Sequence, residues 1–204
     1  MQPEFLYFDL GKVLVDFDHA QMYRQIGEVS GVPLQRVEEV LQDGLQKQYE
    51  TGQISGQKFY ETFCQQTGAK VDYDTILRAG NEIFELNLSI VPLIAHLGHA
   101  GHRLGILSNT CESHWEYCAR RFRMLAESFQ VHALSFEIGV AKPEAAIFHT
   151  AAKLAGVQPG GIFYVDDLPE HVAAAKTIGI DAVVYTSTAQ LASDLRSRGV
   201  GFNY

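Results

Sequence analysis

The stretch FLYFDLGKVL, residues 5–14, begins as an uninterrupted apolar run and turns polar at Asp9 and Lys12. A run that is apolar at every position is typical of a strand buried on both faces, as in a parallel sheet covered by helices. Four later runs have the same character, namely HRLGILS (102–108), VHALSF (131–136), GIFYVD (161–166) and DAVVYT (181–186). The five runs predict a parallel sheet, and residues 5–9 supply its first strand.

Helical patterns separate the later strands. Residues 92–100, 143–155 and 170–178 have helical periodicity, each ends at or just before a glycine, and the first two begin with proline. Strand and helix therefore alternate from residue 92 onward. This alternation predicts an α/β fold with a doubly wound, Rossmann-like parallel sheet.

Residues 19–88 have a different character. They contain four amphipathic helical patterns separated by glycine or proline, and they show no strand pattern. We therefore expect an all-helical insertion after the first strand. The α/β core domain would comprise residues 1–17 and 89–204, and residues 18–88 would form a small helical cap.

The composition limits the classes of partner. Of the 204 residues, 47% are apolar, as in folded globular proteins. Sixteen Lys and Arg against 24 Asp and Glu give a net charge of −8, the wrong sign for a nucleic-acid-binding protein. No run approaches the roughly 18–20 apolar residues that span a bilayer, and the three cysteines lack CxxC spacing. We expect a cytoplasmic protein without a nucleic-acid or membrane partner, whereas one small anionic ligand fits the charge.

Polar residues stand at the predicted strand ends, which is where doubly wound sheets bind ligands. Carboxylates that meet at one sheet edge repel each other unless a divalent cation neutralises them, and oxygen ligands suit Mg²⁺. A cation together with a lysine would make a site for a phosphoryl group. The candidate residues are Asp9, Ser108, Asn109, Asp166 and Asp167, with Lys142 in a loop that opens a helix.

The order of four motifs resembles the haloacid dehalogenase (HAD) superfamily of phosphohydrolases. The motifs are FLYFDLGKVL, ILSNT (106–110), AKPEAAIF (141–148) and FYVDDLPEHVAAAKTIG (163–179), and they cover the whole α/β part. The chain is most similar to small members whose first motif reads Asp-x-Gly, such as the bacterial α-D-glucose-1-phosphate phosphatases, which also carry a small helical cap. The resemblance implies a Mg²⁺-dependent phosphatase for a small phosphorylated metabolite, and we expect a sugar phosphate.

The resemblance also implies a role for each motif residue. Asp9 would be the nucleophile that forms an aspartyl phosphate, because a carboxylate is already ionised at pH 7 and needs no activating base. Ser108 and the backbone N–H of Asn109 would hold phosphoryl oxygens. Lys142 would neutralise the charges of the nucleophile and the phosphate. Mg²⁺ would be held by Asp9, the Gly11 carbonyl and Asp166, with Asp167 as a further ligand or a neighbour of the ligands.

The sequence departs from the common family pattern at the position two after the nucleophile. An aspartate usually stands there as general acid, and here it is Gly11. The leaving group would then be protonated by water, by Asp16 or Asp18, by Lys12, or by the substrate itself. His171 likewise stands where an asparagine is frequent. Three further residues, His114, Trp115 and Tyr117, follow the ILSNT motif and fit a packed helix face better than a pocket wall.

Three other functions remain open at this point. A phospho-accepting receiver domain uses similar residues, but its acidic pair follows the first strand, whereas Asp166 and Asp167 come last. A metal-free haloacid dehalogenase shares the nucleophile but does not need that acidic pair. A binding or regulatory protein on a retired enzyme scaffold is consistent with Gly11.

Overall fold

The computed structural model describes residues 2–203. Within that range the strands are β1 Phe5–Phe8, β2 Val15–Asp16, β3 Glu85–Leu86, β4 Leu104–Ser108, β5 Val131–Leu134, β6 Ile162–Asp166 and β7 Asp181–Val184. Five of them form one parallel sheet in the order β5-β4-β1-β6-β7. The predicted doubly wound sheet is confirmed, and β1 is its central strand.

The strand β1 shows why the sheet is buried on both faces. Side chains alternate along a strand, so that Leu6 and Phe8 enter one apolar cluster and Phe5 and Tyr7 enter the other. All four residues are buried. The register pairs Leu6 with Leu104 of β4 and with Phe163 of β6. Because both neighbours are parallel, their carboxyl ends meet beside Asp9.

Helices lie against the sheet and in the segment between β2 and β3. In chain order they are α1 His19–Ser30, α2 Leu34–Val40, α3 Gln46–Glu50, α4 Gly56–Thr67, α5 Tyr73–Asn81, α6 Val91–His99, α7 Glu112–Arg121, α8 Arg123–Glu127, α9 Ser135–Ile138, α10 Ala145–Ala155, α11 Pro169–Thr177 and α12 Thr188–Ser197. A π-helical turn, Leu41–Leu45, joins α2 to α3, and a 3₁₀ turn, Pro159–Gly161, precedes β6. The helices expected at 92–100, 143–155 and 170–178 are confirmed within two residues at each end. In the described part of the chain, no helix is long and apolar enough to cross a membrane.

Helices α1–α5, here called the helical insertion (residues 19–81), lie between the short strands β2 and β3. These strands pair antiparallel, with Val15 opposite Leu86 and Asp16 opposite Glu85. The expectation that residues 19–88 hold no strand is therefore wrong at residues 85–86. A two-residue strand is too short to show an alternating pattern, and only its partner strand makes it visible.

Glycine divides the second helical pattern of the insertion. Residues 33–52 read as one amphipathic run, but Gly44 has φ +94° and breaks it into α2 and α3. Such a φ is accessible to glycine at little cost. The break redirects α3 so that its last residue, Glu50, reaches the carboxyl edge of the parallel sheet.

Candidate active site

Asp9 follows β1 directly and is almost completely buried. Its Oδ1 accepts a hydrogen bond from the Leu10 backbone N–H at 2.7 Å and lies 3.0 Å from the Lys142 Nζ. Burial raises the pKa of Asp9 to about 6, the Lys142 charge opposes that rise, and the negative charge of Asp166 adds to it. The site thus holds more negative charge than one lysine balances.

Lys142 lies between two carboxylates. Its Nζ is 3.0 Å from Asp9 Oδ1 and 2.7 Å from Asp166 Oδ2, and the three side chains are 1%, 9% and 0% exposed in the order Lys142, Asp9, Asp166. The same Nζ lies 3.2 Å from the Leu107 carbonyl and 2.9 Å from the Tyr164 hydroxyl. Burying an ammonium group is costly unless it is paired and hydrogen-bonded, and here acceptors surround it.

Asp166 ends β6 and is held by three further donors. It accepts hydrogen bonds from the Tyr164 hydroxyl and from the Leu168 backbone N–H at 2.8 Å, and His171 Nδ1 lies 3.1 Å from both carboxylate oxygens. Burial alone raises the pKa of Asp166, but the hydrogen bonds from His171 and Lys142 and the Lys142 charge lower it well below its usual range. The charged form of Asp166 is therefore favoured, and its carboxylate is held in one orientation.

The geometry suits a divalent cation. Carboxylate oxygens of Asp9, Asp166 and Asp167 lie within 4.8 Å of one another. Burial raises the pKa of Asp167 as well, and the neighbouring Asp166 charge adds to the rise. Because these oxygens are hard ligands with unbalanced negative charge, they fit Mg²⁺. Gly11 lines the same cavity as Asp9 and Asp167.

Ser108 and Asn109 stand at the end of β4, beside Asp9. Ser108 is buried and lines the cavity. The Asn109 side chain donates from Nδ2 to the Lys142 carbonyl at 2.9 Å, and the Lys142 N–H donates back to Asn109 Oδ1 at 2.7 Å. These two hydrogen bonds occupy the side-chain amide of Asn109 and fix the loop that carries Lys142. The expected phosphate contact of Asn109 therefore rests on its backbone N–H.

A cavity of about 470 Å³ lies over these strand ends and is called the site cavity. Its floor is formed by Lys142 and by residues at the strand ends, namely Asp9, Gly11, Ser108, Asn109 and Asp167, together with Asp166, which is buried beside Lys142. Its roof is the set that faces the floor from elsewhere in the chain, namely Lys12, Phe17, His19, Glu50, Phe84 and His114. The structure thus brings together all the predicted site residues, and Asp166 differs from the others only in being fully buried beside Lys142 rather than lining the cavity.

The candidates to replace the missing general acid are Asp16, Asp18 and Lys12, and none of them has a free acidic group in the site cavity. Asp16 and Asp18 line a neighbouring cavity of about 520 Å³ rather than the site cavity. Lys12 lines the site cavity, but its Nζ donates to the Phe17 carbonyl. A Cβ placed on Gly11 would lie 2.6 Å from Phe17 Cε1. The Phe17 ring thus fills the space that a side chain at residue 11 would need.

Several residues of the site escaped the sequence analysis. Tyr164 precedes Asp166 by two residues in β6. The strand period alone places both side chains on one face, so the sequence is sufficient to predict that they are neighbours. His114 lies in the cavity wall, which corrects its assignment to a packed helix face. Glu50 and His19 come from the helical insertion, and no local pattern points to either.

The parallel sheet and the acidic cluster at its strand ends define an α/β protein whose ligand site lies at the carboxyl edge of the sheet. A family model described as haloacid dehalogenase-like hydrolase matches residues 6–179. The chain therefore belongs to the haloacid dehalogenase-like hydrolases.

Solved structures share the fold of this chain. A HAD family enzyme from Bacteroides thetaiotaomicron, in complex with magnesium and inorganic phosphate, is 27% identical, with a TM-score of 0.81 over 90% of this chain and 94% of that one. A HAD-like family hydrolase from Porphyromonas gingivalis is 23% identical, with a TM-score of 0.80 over 96% and 98%. The L-2-haloacid dehalogenase from Xanthobacter autotrophicus is 20% identical, with a TM-score of 0.63 over 96% and 83%. The narrower resemblance to α-D-glucose-1-phosphate phosphatases stays a prediction.

Proposed function

We propose that this protein is a Mg²⁺-dependent phosphatase that hydrolyses a small phosphomonoester through an aspartyl phosphate on Asp9. The observation that carries the proposal is the buried cluster in which Lys142 contacts both Asp9 and Asp166. A strand-end nucleophile beside a lysine and an acidic metal site is suited to an anionic phosphoryl group. The likeness to a bacterial relative that binds magnesium and inorganic phosphate supports the same assignment.

The reaction runs in two displacements at phosphorus. A carboxylate oxygen of Asp9 forms a bond to phosphorus while the bond to the leaving oxygen breaks, and that oxygen leaves with the electron pair and takes up a proton. Water then attacks phosphorus, the bond to Asp9 breaks, and inorganic phosphate is released. Lys142 offsets the repulsion between the Asp9 carboxylate and the phosphate. The Ser108 hydroxyl and the Asn109 backbone N–H bind phosphoryl oxygens throughout.

The acidic residues of the floor would hold the metal. Asp9, Asp166 and the Gly11 carbonyl are the proposed ligands, and Asp167 is either a further ligand or a neighbour of the ligands. When bound, Mg²⁺ supplies positive charge that lets an anionic substrate approach this acidic site. Tyr164 and His171 act as positioning residues, because they hold the Asp166 carboxylate.

The leaving group is proposed to be a sugar, bound under a cap. We propose that residues 18–88 form the cap and that residues 1–17 and 89–204 form the core domain. A volume of about 470 Å³ lies in the range of small-molecule pockets, roughly 300–1,000 Å³. The roof combines the aromatic rings Phe17 and Phe84 with polar side chains, which suits a ring that bears hydroxyl groups.

The first test is hydrolysis of p-nitrophenyl phosphate with Mg²⁺, with EDTA, and with Mg²⁺ restored after EDTA. We expect turnover only when Mg²⁺ is present. The same samples are assayed for chloride release from 2-chloropropionate, where we expect none. Halide release that persists in EDTA, without phosphatase activity, would replace the proposal by a dehalogenase. A panel of phosphorylated sugars, nucleotides and proteins follows, and a preference for a phosphoprotein would contradict the sugar phosphate.

A further inference from the structure

Two roof residues, Glu50 and His114, face the site cavity from opposite parts of the chain. Glu50 ends α3 in the helical insertion, and His114 lies in the first turns of α7, which follows the ILSNT motif. Both also line a small, mainly apolar cavity behind the roof. The two side chains are therefore parts of one wall between the insertion and the sheet.

His114 is held as a neutral hydrogen-bond acceptor. Its ring packs edge-to-face on Phe84, with centroids 5.0 Å apart. Burial lowers the pKa of His114 to about 4, although the Glu50 charge and a hydrogen bond to the Gly80 carbonyl act in the opposite direction. In a neutral imidazole, the nitrogen that donates to the carbonyl carries the only proton, which leaves the other nitrogen able to accept a hydrogen bond.

Glu50 is anchored on both its side chain and its backbone. Its Oε1 accepts a hydrogen bond from Gln46 Nε2 at 2.8 Å, which leaves further acceptor positions on the carboxylate. Its carbonyl accepts a hydrogen bond from Ser135 Oγ at 2.5 Å, and the same Oγ accepts from the Thr110 N–H at 2.9 Å. Glu50 is therefore tied to the loop that directly follows the proposed phosphate-binding residues.

Both polar groups of this wall accept hydrogen bonds, so a matching ligand must donate them. Hydroxyl groups are neutral donors that fit beside Phe17 and Phe84. A second phosphate or a carboxylate on the leaving group would be repelled by Glu50. An ammonium group also donates, so an ammonium-bearing ester is the competing class that the substrate panel must distinguish.

On the basis of the proposed function, we propose that Glu50 and His114 are specificity-determining residues that accept hydrogen bonds from hydroxyl groups of the leaving group. The substrates would then be monophosphates of neutral, polyhydroxylated compounds. The selection comes from both parts of the chain, because Glu50 belongs to the helical insertion and His114 does not.

The test compares substrates that differ in hydroxyl groups. Inositol, hexose and pentose monophosphates form the hydroxylated panel, and cyclohexyl phosphate offers a ring without hydroxyls. The variants are Glu50→Ala, Glu50→Gln and His114→Phe. The control is Glu61→Ala, because Glu61 accepts from Gln57 four residues earlier, just as Glu50 accepts from Gln46, but is exposed.

The expected result is a change in selectivity. In wild type, kcat/KM for the best hydroxylated substrate exceeds that for cyclohexyl phosphate. Because a hydroxyl bound to a charged acceptor contributes strongly, Glu50→Ala should lower that ratio about 10- to 100-fold, mainly through KM. We expect a smaller loss for Glu50→Gln, which keeps one acceptor oxygen, and a fall of about 5- to 10-fold for His114→Phe. Glu61→Ala should keep the wild-type ratio.

Other results overturn the inference while leaving the phosphatase intact. The first is Mg²⁺-dependent turnover of p-nitrophenyl phosphate by wild type without any preference for hydroxylated substrates. The second is an unchanged ratio of the two kcat/KM values in both Glu50→Gln and His114→Phe. The third is fastest turnover of an ammonium-bearing ester such as phosphoethanolamine. Thermal melting identifies any variant that fails to fold, and the isosteric Glu50→Gln then decides. Absence of turnover of every phosphate ester by wild type would instead overturn the proposed function and this inference with it.

Discussion

The floor and the roof of the site cavity are built in opposite ways. In the floor, Lys142 and Asp9 are buried and fixed by short contacts, and the acidic groups outnumber the lysine. In the roof, Lys12 is 43% exposed, and the aromatic rings and histidines are held by ring contacts. A buried charge network tolerates few substitutions, whereas ring packing tolerates many. We therefore expect substitutions in the floor to change the chemistry and substitutions in the roof to change which leaving group is accepted.

The largest effect should come from removing the nucleophile in the floor. Asp9→Asn keeps the shape but loses the charge that attacks phosphorus and helps to bind Mg²⁺, so kcat should fall by at least about 10⁴-fold. The measurement is p-nitrophenyl phosphate turnover in purified protein. Asp43→Asn, at an exposed position of the insertion, is the control and should keep wild-type turnover. Retained turnover in Asp9→Asn would remove Asp9 as nucleophile.

The next prediction compares the two lysines. Lys142→Met leaves two buried carboxylates without their cation, so the free energy of unfolding in EDTA should fall by about 3–5 kcal/mol. Lys12→Met removes an exposed charge and should change that free energy by about 1 kcal/mol or less. Urea titrations measure both. Added Mg²⁺ should raise the stability of Lys142→Met, and equal losses for the two variants would abolish the distinction between floor and roof.

The third prediction concerns metal affinity. Asp166→Asn removes a proposed ligand charge, so the Mg²⁺ concentration at half-maximal activity should rise by about 10- to 100-fold. His171→Ala frees the same carboxylate without removing it, and we expect a smaller rise. Both titrations are followed by p-nitrophenyl phosphate turnover. An unchanged Mg²⁺ midpoint in Asp166→Asn would mean that the metal does not depend on this carboxylate.

The fourth prediction follows from Gly11. Without a general acid, more negative charge develops on the leaving oxygen, so the rate should fall steeply as the pKa of the leaving group rises. Aryl and anomeric phosphates should therefore react faster than simple alkyl phosphates. A flat dependence on leaving-group pKa would reveal an acid, and substitutions at Lys12, Asp16 and Asp18 would then locate it.

The smallest effect concerns the contact between floor and roof. Because the Phe17 ring lies 2.6 Å from the Cβ position of residue 11, Gly11→Asp should destabilise the protein by about 1–3 kcal/mol. In the Phe17→Ala background a side chain at residue 11 has room. The stability lost through Gly11→Asp should therefore be smaller in that background than in wild type. Urea titrations of wild type, the two single variants and the double variant complete this double-mutant cycle. Strict additivity would show that Phe17 does not exclude a side chain at residue 11.

The sequence predicts the floor better than the roof for a physical reason. Asp9, Ser108 and Asp166 stand at the ends of strongly apolar strands, and parallel topology brings such ends to one edge of the sheet. The position of Tyr164 beside Asp166 also follows from the strand period. The floor is therefore encoded in local patterns together with one topological rule.

The roof depends on tertiary packing. His19 begins α1 and Glu50 ends α3, and helical periodicity does not specify how these helices lie over the sheet. The turn at Gly44 and the two-residue strands β2 and β3 also carry no periodic signal. These features became visible only when distant segments were placed together.

The pairing of β2 with β3 has a consequence for how such proteins diversify. Val15 lies opposite Leu86, so the chain leaves and re-enters the sheet domain through two points one strand spacing apart, roughly 5 Å. A loop of almost any length can connect two such points without moving β1 or its neighbours. Over evolutionary time, segments of different size can be exchanged here while the strand ends that carry Asp9, Ser108 and Asp166 keep their positions. In a laboratory recombination experiment, the paired strands β2 and β3 are the natural crossover point for grafting a foreign insertion.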